Sequence, residues 1–192
     1  KLQIGTIRLV RDGGLFDNAC ATMRLKNWGQ ILTEEQTPDL LDLEQDCLFD
    51  FEALNAFASA RDVKILISQH NFLRIPPYPV LTTLVEDAKR VGASGVKIAA
   101  MSNAEGDSAP LYDFIQEFSK DFPYFSAFAM GNTGKPSRIL SLLKGANLSY
   151  GSILESSVPG QLSVRLMHEI LTKITEINDE TAIRQFLNQS LL

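Results

Sequence analysis

Histidine and cysteine are scarce in this chain: His70, His168, Cys20 and Cys47 are the only ones in 192 residues. Scattered as they are, they build no zinc site. Two cysteines build no disulfide framework and suit a reducing compartment, so the expected location is the cytoplasm. Basic residues are outnumbered 18 to 23, and a net charge of −5 excludes a broad nucleic-acid surface. No apolar run approaches the roughly 20 residues of a membrane-spanning helix, and the first residues show no secretory leader pattern. A Gly-x-Gly-x-x-Gly dinucleotide fingerprint is also missing, as are linkers, low-complexity segments and internal repeats. What is left is an ordinary globular composition, 45% hydrophobic and 21% charged, long enough for a real core in one domain spanning 1–192.

What is present is alternation. Short β-rich apolar runs cover 2–7, 39–44, 63–68, 95–101, 124–130 and 147–151. Helical patterns lie between them near 16–35, 50–60, 77–91, 108–120 and 135–144, and two more follow near 161–174 and 179–190. Pro76, Pro77 and Pro79 mark the start of one helix, and Gly92 stands where it should end. Strict strand–helix alternation with buried strands predicts an α/β fold with a parallel sheet and right-handed crossovers. Six such units without a dinucleotide fingerprint favour a TIM-type (β/α) barrel. Catalytic groups of a barrel lie at the C-terminal ends of its strands. The polar residues obey that register: Arg8 follows the first run, Glu44 the second and His70 the third, Lys97 lies in the fourth, and Met130-Gly131 closes the fifth.

Lys97 is the residue that most needs a reason. It sits in Val96-Lys97-Ile98-Ala99-Ala100-Met101, where an ammonium group is costly to bury. It reads either as a strand lysine whose head reaches solvent or as a desolvated amine able to form a Schiff base. His70, at the equivalent strand end, reads as a structural histidine or as a general acid–base. Asp12-Gly13-Gly14 reads as a plain turn or as a loop setting a carboxylate beside His70, which would fix its tautomer. Asp42 and Glu44, two apart, share one face of their strand; on the inside of a barrel they need partners such as Lys97 or His70. The stretch from Gly131 to Arg138 fails the P-loop pattern, because Pro136 follows Lys135 where Ser or Thr belongs. It reads better as a strand-to-helix loop, with Arg138 suited to a carboxylate or simply on the surface. Ser156 to Gln161 forms a second polar loop, and His168 falls on an amphipathic pattern that places it outside.

Five blocks in order resemble the type I 3-dehydroquinate dehydratases. They are Thr6-Ile7-Arg8 with Asp12-Gly13-Gly14, Asp42-Leu43-Glu44, Ser68-Gln69-His70-Asn71-Phe72, the lysine strand around Lys97, and Met130-Gly131 to Arg138 with Ser157-Val158-Pro159-Gly160-Gln161. The resemblance runs from about residue 2 to 175. It implies a lyase of the shikimate pathway that dehydrates 3-dehydroquinate. Lys97 would form an imine with the C3 ketone, His70 would move the proton from C2 to the departing C1 hydroxyl, and Asp12 would orient His70. Arg138 would hold the carboxylate; Arg8, Ser157 and Gln161 would bind substrate oxygens; Met130 and Tyr150 would wall the pocket, with Phe128 beside them. No metal and no cofactor are implied, and a homodimer is.

The resemblance has gaps. Family members carry Glu at position 12, Asp at 71 and Ala at 158, where this chain has Asp12, Asn71 and Val158. The family barrel also has two strands ahead of the Thr6-Ile7-Arg8 strand, the second with a Glu-x-Arg pair that binds substrate. Thr22-Met23-Arg24 is no substitute, since it falls in a helix pattern. About six of eight units are therefore expected, either in a fragment or in a shortened homologue whose open sheet exposes two edges. A second reading is a non-catalytic dehydroquinase-like domain for metabolite sensing or interaction. A third, another lysine-dependent aldolase-type barrel, does not predict the 157–161 loop.

Overall fold

A computed structural model describes residues 2–17, 21–32, 37–153, 160–177 and 179–191. Its strands are β1 (Ile4–Thr6), β2 (Leu40–Glu44), β3 (Lys64–Asn71), β4 (Gly95–Met101) and β5 (Tyr124–Met130). Its helices are α1 (Ala21–Ile31), α2 (Phe51–Ser59), α3 (Tyr78–Val91), α4 (Ala109–Phe118), α5 (Ser137–Leu143), α6 (Val164–Ile174) and α7 (Glu180–Leu191). The helices form where apolar spacing and end signals agree. In α3, Leu81, Leu84, Val85 and Ala88 make one buried stripe, and Gly92 closes the helix at a left-handed φ of 71°. In α6 the Ser163 hydroxyl caps the first turn by accepting from the Leu166 N–H, and Met167, Ile170 and Ile174 turn inward.

The five strands are all parallel and lie in chain order, β1-β2-β3-β4-β5. A doubly wound sheet reverses direction at a switch point and puts helices on both faces; this one does neither. Leu41, Leu43, Ile65, Ile67, Val96, Ile98, Phe125 and Ala127 face a single core shared with Leu54, Leu81, Leu84, Leu111, Phe114, Ile139 and Ile170 of the helices. The alternate positions point the other way, and there Ala99, Phe128 and Met130 form a separate small cluster with Met101 and Tyr150. One face is thus packed with helices and the other is a site, which is barrel architecture.

Two expectations need correction. β3 continues through Asn71, so His70 lies within the strand rather than after it. The sixth run, 147–151, forms no ladder strand among the described residues. Its start lies along β5, with the N–H groups of Asn147 and Leu148 donating to the Phe125 carbonyl. The Asn147 amide then takes the ladder positions: its Oδ1 accepts from the Phe125 N–H at 2.8 Å and its Nδ2 donates to the Pro123 carbonyl at 2.8 Å. A side chain has replaced backbone pairing there. Among the described residues β1 is hydrogen-bonded only to β2, so the sheet is open on that side.

Candidate active site

Register builds the site. Glu44, Ser68, Lys97 and Ser126 are cross-strand neighbours in one row of the inner face, and His70, Ala99 and Phe128 form the next. Lys97 is only 7% exposed, so its head does not reach solvent. Its Nζ lies 2.9 Å from Asp42 Oδ2 and 4.5 Å above the centre of the Tyr150 ring. Burial pushes the Lys97 amine below its ordinary pKa and the nearby Arg8 charge adds to this, while Asp42 opposes it. Burial also favours protonated Asp42, but Lys97 and Arg8 outweigh it and hold that carboxyl well below the usual range.

Arg8 is the hub. Its Nη2 pairs with Asp42 at 2.5 Å, and its Nη1 reaches Glu44 Oε1 at 3.2 Å and the Ser68 hydroxyl at 3.0 Å. The same Nη1 lies 3.4 Å from His70 Nδ1, nearer than Asp12 Oδ1 at 3.8 Å. Arginine only donates, so in this arrangement Nδ1 accepts and the imidazole carries its proton on Nε2. Burial, with Lys97 and Arg8 behind it, pushes the His70 pKa down to about 3. Asp12 moves upward, through burial and the neighbouring Glu44 and Asp46 charges. It sits on a tight turn (Val10–Asp12) closed by Gly13 at a φ of 82°. The Asp12-Gly13-Gly14 stretch is therefore both the turn and the loop that brings a carboxylate to His70.

Arg138 opens α5 and is 3% exposed. Its Nε donates to the Gly160 carbonyl at 3.0 Å, its Nη1 to the Tyr150 carbonyl at 3.1 Å, and its guanidinium lies 4.3 Å from the centre of the Phe128 ring. These contacts fix the plane of the group, yet no carboxylate among the described residues pairs with it. Burial alone lowers its pKa to about 10. A buried guanidinium with no counter-charge among the described residues is suited to receive an anion. Gly160, whose carbonyl takes the Nε, packs directly on Gly131: a side chain there, at a φ of 78°, would place its first carbon 2.1 Å from the Gly131 carbonyl oxygen. Met130, Phe128 and Tyr150 do line one apolar wall. Gln161 is half-buried beside Gly160, while Ser157 lies outside the described residues. His168 is exposed on α6, and Lys135 donates to the Leu191 carbonyl at 3.4 Å, a structural contact to α7. If Arg138 clamps a substrate carboxylate, Arg138→Ala should raise KM roughly tenfold to hundredfold with a smaller change in kcat. An unchanged KM in steady-state assays removes it from the ground-state site.

A sequence model of the type I 3-dehydroquinases matches residues 2–178. The chain belongs to that family. Similar relatives include the 3-dehydroquinate dehydratase of Lactococcus lactis, 32% identical over 171 residues that cover 86% of this chain and 69% of the relative. That of Methanosarcina mazei is 29% identical over 144 residues, covering 73% and 60%. The crystal structure of the Geobacillus kaustophilus 3-dehydroquinate dehydratase superposes with a TM-score of 0.83 at 22% identity, over 92% of this chain and 68% of that one. That likeness places the five-stranded sheet within the dehydroquinase barrel fold.

Two further residues of this cluster were not singled out from the sequence. Ser68 stands beside Lys97 in the register and holds Arg8; its only signal is period-two spacing from His70. Arg24 of α1 is 1% exposed and binds Glu44. Its signal is a charge on an apolar stripe, since Arg24, Trp28 and Leu32 are four apart and all buried.

Proposed function

We propose that this family member dehydrates 3-dehydroquinate to 3-dehydroshikimate through a Schiff base on Lys97. The observation that carries the reading is the buried, down-shifted Lys97 amine in the same pocket as a neutral His70. Lys97 attacks the C3 ketone, and loss of water gives an iminium. The iminium draws electrons from the C2–H bond, whose proton passes to His70 and leaves an enamine. The enamine expels the C1 hydroxyl, which departs as water with the proton from His70. A second water then hydrolyses the conjugated iminium, releasing product and free Lys97. Arg138 holds the carboxylate throughout; for Nε2 to act as the base the imidazole proton moves to Nδ1, where Asp12 becomes its acceptor in place of the Arg8 contact. The role belongs to the shikimate pathway in the cytoplasm. A homodimer belongs to the same reading, and light scattering decides it.

The test is borohydride reduction in the presence of 3-dehydroquinate, followed by intact mass and peptide mapping. An adduct on Lys97 is expected. A folded protein that gives no adduct would return the chain to the sensing or interaction reading.

A further inference from the structure

Arg24 lies on α1, away from the row of strand-borne site residues, yet it is the most deeply buried arginine described here. Its Nη1 donates to Glu44 Oε2 at 2.7 Å and its Nη2 to Asp50 Oδ2 at 3.0 Å, so its two arms bridge the end of β2 and the start of α2. Glu44 uses its other oxygen differently: Oε1 accepts from Arg8 Nη1 at 3.2 Å and from the Leu9 N–H at 3.3 Å. Arg8 in turn contacts Asp42, the ion-pair partner of Lys97, and His70. The contacts run without a break from Asp50 through Arg24, Glu44 and Arg8 to both reacting groups. Every carboxylate in the chain of contacts is buried.

We propose that Arg24 is a positioning residue of the active site, fixing Glu44 so that Arg8 stays between Asp42 and His70. The proposal rests on the functional reading above. Without the arginine fork, Glu44 keeps the Leu9 N–H and has Arg8 as its one described cation, which it draws away from His70 and Asp42. Arg8 is one of the charges that disfavour protonation of both His70 and Lys97, so its withdrawal shifts both groups upward. The groups that face His70 are Arg8 and Asp12 from the end of β1 and the turn after it, Asp42 from β2, and Lys97 from β4. Glu44 stands behind Arg8, and Tyr150 stands against Lys97. Of these, the Arg24 network holds Arg8.

The test compares Arg24→Lys and Arg24→Met with the wild type. Lysine keeps the charge and loses the fork that holds two carboxylates at once. Methionine loses both. The chain has two histidines, so proton NMR of the substrate-free protein follows His70 directly, with exposed His168 as the internal reference. Positioning predicts that the His70 titration moves up in Arg24→Met by on the order of one unit and in Arg24→Lys by less. The pH profile of kcat/KM should move to higher pH in parallel, because each unit of upward shift at Lys97 removes about tenfold of its free amine at a fixed pH. Wild-type titration and profile in Arg24→Lys overturn the proposal, whether Arg24→Met shifts or not, since a bare field effect needs only the charge. If Arg24→Met does not fold, Arg24→Lys alone decides. The NMR readout needs no substrate: a wild type that traps no imine sinks the functional reading, while the titration still judges Arg24.

Discussion

Lys97→Ala is expected to abolish turnover, by at least about four orders of magnitude in kcat/KM, and to erase the borohydride adduct. No other lysine can take over, because Lys97 is the one described lysine that is buried. The loss should be chemical rather than structural. Removing one partner of a buried ion pair usually costs about 3–5 kcal/mol, because the other charge is left stranded. Here Asp42 keeps Arg8 at 2.5 Å, so the cost should fall below about 3 kcal/mol, readable as a urea midpoint shift. If Arg138 clamps the carboxylate, substrate should still bind, since Arg138 bonds the Gly160 and Tyr150 carbonyls rather than Lys97. Calorimetry should therefore find 3-dehydroquinate bound to a folded, inactive protein. Retained turnover would end the imine mechanism.

The strength of that expectation comes from how much of the site could be read before any coordinates. A lysine inside an apolar strand has few explanations, and period-two spacing places Lys97, Ala99 and Met101 on one face without ambiguity. The same rule places Asp42 with Glu44, and the parallel register then joins Glu44 to Ser68 and Ser68 to Lys97 across strands. Other parts had no such rule. The 147–151 run has the apolar content of a strand, but the Asn147 amide occupies the Phe125 N–H and the Pro123 carbonyl, and propensity does not register a side chain that mimics a backbone. The resemblance assigns Arg8 to substrate oxygens, and its place after a strand agrees, but neither names its protein partners. Its partners come from β2 and β3, and only tertiary structure shows that its guanidinium already serves Asp42, Glu44 and Ser68. Arg24 fell on a helix face whose direction depends on packing against α2. Its spacing with Trp28 and Leu32 signals burial but not which carboxylates it meets.

His70→Ala should separate the two halves of the reaction. Imine formation at Lys97 continues, while proton removal loses its base, and kcat is expected to fall by roughly 10²–10⁴-fold. Borohydride should then trap substrate that still holds its C1 hydroxyl, heavier by one water than the dehydrated adduct. A variant that traps only dehydrated adduct at the wild-type rate would take His70 out of proton transfer. The same substitution has a second, independent signature in stability. With a folded-state value of about 3 against the ordinary 6.5, the native imidazole stays neutral where the unfolded one is protonated. The unfolded state therefore binds the extra proton, and this group's share of stability is intact above pH 6.5 and lost as pH falls. The loss is about 1.4 kcal/mol per pH unit, or about 2 kcal/mol between pH 6.5 and pH 5. His70→Ala removes this loss, so urea unfolding at pH 5 should favour the variant relative to its standing at neutral pH. If the two proteins keep the same gap at both values, the native imidazole takes up its proton near the ordinary 6.5, as the unfolded one does. The free enzyme would then lose its neutral base below that pH, and the C2 proton would have no acceptor there.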